Sequence, residues 1–147
     1  MEAISPVYET APVGQENPAA APYLNAASLI KTRLPPELFK VEVLQPVEIM
    51  LGRRRGLGQP VMIDLDLMLW DDAILDFGAK PWHVPHPDVI RYLHAARPLA
   101  DLAPDYVHPE DGRTLAAIAA ALAIGLPESA LRPRRDEVIL RRERPRR

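Results

Sequence analysis

The sequence predicts a single α+β or α/β domain, and three observations carry that reading. Short apolar runs of strand type are interleaved with stretches of helical spacing. A length of 147 residues suits one domain with its own core. The 17 prolines fall between the apolar runs, as in "LPPE" and "KPWHVPHPD", so they mark loops and turns and make no low-complexity segment.

The elements follow in order. Ala3 to Glu9 reads as a strand, ended by the turn-rich loop 10–21, and Tyr23 to Lys31 as a second strand. Beyond Pro36, apolar residues at Leu38, Phe39, Val43, Leu44, Val47 and Leu51 have helical spacing, with Gly52 as the stop. Pro46 lies inside that helix and predicts a kink or a split, because proline lacks the amide donor and clashes with the preceding turn. Val61 to Trp70 reads as a third strand, followed by a turn and a short return strand in "DDAILD" and an extended "PWHV". "HPDVIRYLHAARPLADLAP" predicts one or two short helices and "GRTLAAIAAALA" a final one.

Composition narrows the chemistry. The chain is 48% apolar and 26% charged and has no cysteine, which excludes disulfides, thiolate metal sites and thiol nucleophiles. No run reaches the roughly 18 apolar residues of a membrane span, and no glycine-rich phosphate loop is present. A cytoplasmic protein with no membrane partner is expected. Charge is uneven: eight arginines against three acids give 132–147 a charge of +5, so with a net charge of −2 the body carries −7. Such a tail can hold an anionic polymer such as RNA or can simply be solvated; no other nucleic-acid contact is expected.

The run "VMIDLDLMLW" raises the sharpest question. On a strand, alternate side chains share a face, about 6.5–7 Å apart. Val61, Ile63, Leu65, Leu67 and Leu69 form an aliphatic face, and Met62, Asp64, Asp66, Met68 and Trp70 the other. Two carboxylates so close repel unless a cation compensates, and Mg²⁺ takes one or two carboxylates together with substrate phosphates. An exposed edge with incidental acids is the alternative, and the pattern leaves both open.

Arg53, Arg54 and Arg55 precede the aspartates by about ten residues. They complement a helix C-terminus or clamp phosphate bidentately. His83 and His86 sit three apart in a proline-stiffened loop, a weak zinc signal that suits a phosphate contact or loop packing better. Tyr23 and Asn25 share a strand face, where a ring stacks and an amide reads the edge of a flat heterocycle, or where both are ordinary strand residues.

Taken together, "SPVYETAPVG", "PYLNAA", "VEIMLGRRR", "IDLDLMLW", "VPHPD" and "RPLADLAPDYVHPEDGRTL" resemble, in order and spacing, the hydroxymethyl-dihydropterin pyrophosphokinases of folate synthesis. The resemblance runs from about Ala3 to Leu122. It implies a ferredoxin-like α+β sandwich and transfer of pyrophosphate from ATP to the pterin hydroxymethyl group, releasing AMP. By resemblance, Asp64 and Asp66 hold two Mg²⁺ ions against the ATP phosphates and act in catalysis with Arg53. Glu48, Arg53, Arg55 and His86 match nucleotide-side positions. Thr10, Val13, Tyr23 and Asn25 match the pterin pocket, with His94 in place of the phenylalanine that closes it.

Three departures accompany the match. The family's first strand and helix precede "SPVYET", whereas here Met1 falls almost on that strand, so a pterin pyrophosphokinase domain over 1–131 without those elements is expected, with 132–147 as a basic tail. "LGQPV" at 57–61 lacks two arginines of the family's catalytic loop. "RYLH" at 91–94 lacks an arginine, since Tyr92 stands in its place. The alternative function is an impaired or non-enzymatic relative that binds pterin or nucleotide.

Overall fold

Pro6 divides the first apolar run. A computed structural model describes residues 2–10, 22–54, 62–79 and 81–134; Val13, Arg55, segment 57–61 and the tail beyond 134 lie outside them. The expected strand Ala3 to Glu9 forms as two pieces, β1 (Ala3–Ile4) and β2 (Tyr8–Thr10). The expected strand Tyr23 to Lys31 also forms as two, β3 (Tyr23–Asn25) and β4 (Ser28–Leu29). β1 pairs antiparallel with β4, and β2 with β3. The two breaks face each other: the Ser5 amide donates to the Ala27 carbonyl at 2.9 Å and the Ser5 hydroxyl accepts from the Ala27 amide at 2.9 Å. A side chain therefore takes over the ladder where proline has interrupted it.

The other edge of β2 is covered by β7 (Arg132–Pro133), so this sheet has the order β3-β2-β7. Arg132 and Pro133, grouped with the basic tail on composition, thus pair in the sheet. The Glu9 carboxylate accepts from Arg132 at 3.4 Å and from Arg134 at 2.6 Å.

The long helical segment comprises α1 (Pro36–Leu38), a π-helical stretch (Phe39–Leu44) and α2 (Gln45–Met50). Pro36 begins it at a position where no amide donor is needed. The expected disruption at Pro46 takes a specific form. In an α-helix its ring would press on the Glu42 carbonyl one turn back. The wide π turn just before it relieves that contact, and the Gln45 amide bonds the Lys40 carbonyl. Gly52, at φ +93°, ends the helix in a Schellman arrangement: the Gly52 amide donates to Ile49 at 3.0 Å and the Arg53 amide to Glu48 at 2.9 Å.

The expected third strand is corrected. Among the described residues Met62 to Trp70 is extended but enters no β ladder. Its alternation survives as far as Leu67: Met62, Asp64 and Asp66 are exposed and Ile63, Leu65 and Leu67 partly buried. Met68 and Trp70, expected on the aspartate face, are instead partly buried, and Met68 joins Leu69 against the core. Side chains meet several of its backbone groups instead, as detailed below. The expected return strand, β5 (Leu75–Phe77), pairs antiparallel with the expected extended piece, β6 (Trp82–Val84), with Phe77 opposite Trp82.

α3 (Leu93–Leu102) and α4 (Leu115–Ala123) pack on each other around Ala96, Ala100, Leu115, Ile118 and Ala119, joined by Val89, with Met68 and Leu69 against the cluster. Thr114 caps α4 through the Ala117 amide at 3.2 Å. The Tyr8 hydroxyl donates to Asp101 at 2.6 Å and ties β2 to α3. The protein is α+β, with antiparallel sheets and helices.

Candidate active site

The aspartate run is fastened to the long helical segment by polar side chains. Glu48 of α2 is 1% exposed and accepts from the Leu65 amide at 2.7 Å. Lys40, in the π stretch and 6% exposed, donates to the Leu65 carbonyl at 2.5 Å. Both faces of one residue's backbone are thereby held from a single helical segment. Arg53 adds a third tie, to the Ile63 carbonyl at 3.0 Å. The Schellman turn returns the chain so that Arg53 lies back against Glu48, Nη1 to Oε1, at 3.0 Å.

The same residues neutralise the two aspartates. Arg53 hydrogen-bonds Asp64, and Lys40 Nζ lies 3.0 Å from Asp66 Oδ1. The hydrogen bond to Asp64 pushes the Arg53 guanidinium further toward its protonated form, against partial desolvation. The side chains of Asp64 and Asp66 are 52% and 43% exposed, so both carboxylates still face solvent. Lys40 went unnoticed in the sequence. Its signal was present: a lysine between Phe39 and Val41 in an apolar helical run implies a buried partner.

The described residues contain no cluster of three or more histidine, aspartate or glutamate groups arranged for a metal ion. Asp64 and Asp66 are hard oxygen donors and fit a divalent cation whose remaining ligands come from phosphate and water. Glu48 is turned to Leu65 and Arg53, and so acts on the site through them.

His86 stands at the end of the aspartate run, its amide bonded to the Met68 carbonyl at 2.7 Å. Its Nδ1 accepts from the Asp88 amide at 3.3 Å, which leaves Nε2 as the ring nitrogen that can donate. His83 is engaged elsewhere: Nδ1 meets Asp76 at 2.7 Å and Nε2 meets Glu110 at 3.0 Å. With both ring nitrogens occupied by carboxylates, His83 and His86 form no metal pair. The Asp76 bond, then the Glu110 bond, hold the His83 pKa above its ordinary value.

A second group forms on β2 and β3. Thr10 lies opposite Tyr23 and Tyr8 opposite Asn25. The Asn25 amide donates to the buried Thr10 hydroxyl at 3.0 Å, which fixes which way the amide faces. Tyr23 is exposed. His94, at the start of α3, stacks on Tyr92 with ring centres 5.3 Å apart, and burial pushes its pKa down toward the neutral ring. Arg54 is exposed beside the first group.

Residues 1–104 match the family model for 7,8-dihydro-6-hydroxymethylpterin-pyrophosphokinase. The chain belongs to that family. It is 38% identical over 121 residues to a 2-amino-4-hydroxy-6-hydroxymethyldihydropteridine pyrophosphokinase of Pseudomonas aeruginosa, covering 81% of this chain and 70% of the relative. The Bacillus subtilis pyrophosphokinase is 39% identical over 101 residues, or 67% of this chain and 57% of that one. A folic acid synthesis protein of Schizosaccharomyces pombe is 33% identical over 107 residues, 72% of this chain but 14% of the relative. The pyrophosphokinase match spans both residue groups: Thr10, Tyr23 and Asn25 on one side, and Glu48, Arg53, Asp64, Asp66 and His86 on the other.

Proposed function

We propose that this chain is an ATP-dependent diphosphokinase of folate biosynthesis. It transfers pyrophosphate from ATP to 6-hydroxymethyl-7,8-dihydropterin and releases AMP. Membership of the pyrophosphokinase family is the observation that carries this reading. The geometry supports it, because two exposed carboxylates with an arginine beside them suit metal-assisted transfer between phosphates.

The residue roles follow from what each group can do. Asp64 and Asp66 would hold Mg²⁺, two ions in all, and the ions would supply positive charge against the transferring phosphates. Arg53, paired with Asp64 and Glu48, is placed to pair with a phosphate oxygen of the nucleotide. His86 donates from Nε2 to a phosphate oxygen on the same side, and Arg55 belongs to the nucleotide side as well. Glu48 keeps Arg53 and Leu65 in place. On the pterin side Tyr23 stacks on the ring, and Asn25, its amide fixed by Thr10, reads the ring edge. His94 closes the pocket as a neutral aromatic ring, and Val13 is assigned to the same substrate.

The finer architecture we read as a ferredoxin-like sandwich, with α3 lying on the strands of β2, β3 and β4. Among the described residues no helix is long and apolar enough to cross a membrane, and we place the protein in the cytoplasm. Family membership favours catalysis over a non-enzymatic binder of pterin or nucleotide. The test is AMP release from ATP and hydroxymethyl-dihydropterin with Mg²⁺. Pterin-dependent AMP that disappears in Asp64→Asn is expected, and AMP that does not depend on pterin would overturn the assignment.

A further inference from the structure

We propose that Lys40 competes with the divalent cation for Asp66, so that the nucleotide-free site is self-neutralised and holds metal weakly. This rests on the metal-nucleotide reading above. Lys40 Nζ sits 3.0 Å from Asp66 Oδ1, and its side chain is 7% exposed against 43% for Asp66. The carboxylate thus has an ammonium on its inner side and solvent on its outer side.

The two cations of the site are not equivalent. Arg53 has Glu48 and the Ile63 carbonyl as further partners, so it keeps hydrogen bonds when it leaves Asp64. Lys40 is anchored to the Leu65 carbonyl and depends on Asp66 for a compensating charge. A buried ammonium is costly without one. A metal ion bound at Asp66 therefore either draws the carboxylate away from Lys40 or shares it across a short distance with a like charge. Both lower the affinity. The charge count agrees, because Glu48, Asp64 and Asp66 against Arg53 and Lys40 leave a net −1, weak attraction for a dication. The incoming phosphates shift that balance by bringing negative charge to the outer side, so metal is held firmly only together with nucleotide.

The experiment is Mn²⁺ binding followed by electron paramagnetic resonance, with and without a non-hydrolysable ATP analogue, on the whole chain. Lys40→Gln keeps a donor for the Leu65 carbonyl and removes the charge; Lys40→Met removes both. Without nucleotide, Lys40→Gln is expected to bind Mn²⁺ about tenfold more tightly than the natural chain, an effect of one local charge. Adding Asp66→Asn is expected to abolish the gain. Unchanged or weaker Mn²⁺ affinity in folded Lys40→Gln overturns the proposal while leaving the enzyme reading intact. If both variants fail to fold, the Lys40 Nζ resonance of the natural chain decides. It should move when Mg²⁺ and the ATP analogue saturate the site, and a resonance that stays put overturns the competition. Absence of metal binding even with the analogue sinks the metal-nucleotide reading, and the Lys40 proposal with it.

Discussion

The buried carboxylate of Glu48 and the amide of Leu65, 17 residues apart in the chain, are joined by a 2.7 Å hydrogen bond that fixes the aspartate run to α2. Replacing Glu48 by alanine strands the Leu65 amide and removes one partner of Arg53. The expected cost is about 2–4 kcal/mol, as for other buried charged hydrogen-bond partners. Urea unfolding of Glu48→Ala beside the natural chain measures it. A loss below half a kcal/mol, on the order of a neutral surface change, would show that the bond does not fix the run.

Arg53 is expected to act on nucleotide more than on pterin. Arg53→Met should lower kcat/KM for ATP by on the order of 10²–10³, the loss typical of one charged donor to a transition state. Lysine at the same position recovers part of this, since a point charge replaces the fork but not its geometry. Steady-state AMP release gives both numbers, and equal rates for all three proteins would refute the role.

Asn25 should matter to pterin alone. Asn25→Ala is expected to weaken pterin binding by about 10- to 100-fold, as when a buried hydrogen-bonding pair is broken. Thr10→Val, which leaves the Asn25 amide free to turn, should cost less. Pterin fluorescence titration separates these from ATP affinity, which stays as it was. A change in ATP affinity as large as that for pterin would contradict the assignment.

The Asp76–His83–Glu110 clamp gives stability a pH dependence with a definite sign. The folded His83 pKa is raised above the ordinary value near 6.5. Its stabilisation is therefore fully present below the unfolded pKa and is lost as pH rises through the folded one. For a partly exposed clamp, His83→Gln should lower Tm by about 2–4 °C at pH 6, a gap that closes as pH rises through the folded pKa. A gap that widens with pH would reverse the reading.

The aspartate run shows how far sequence reasoning reached. Alternation separated exposed Asp64 and Asp66 from half-buried Ile63 and Leu65 because side-chain direction follows backbone extension alone. It could not say what the backbone bonds to, and here helical side chains take the place of a neighbouring strand. Gly52 was legible as a helix stop because its left-handed φ favours glycine. The breaks opposite each other at Ser5 and Ala27 were not, since they depend on how two distant segments align. The residues proposed for pterin and nucleotide became legible as candidates only through the spacing of whole motifs, because an aromatic two places from an amide is ordinary on any strand.

The π turn before Pro46 has a geometric effect on the site. Lys40 and Glu48 are eight residues apart, which along an ideal α-helix leaves their side chains about 80° out of phase. Absorbing one residue in the wide turn makes the interval behave as seven, about 20° from perfect phase. Two hooks that would diverge are brought to one side, where both reach Leu65. Loss of one residue within 41–44 would therefore leave the grip aligned, since an ordinary turn then spans seven. One residue lost between Glu48 and Gly52 would instead swing Arg53 away from Asp64.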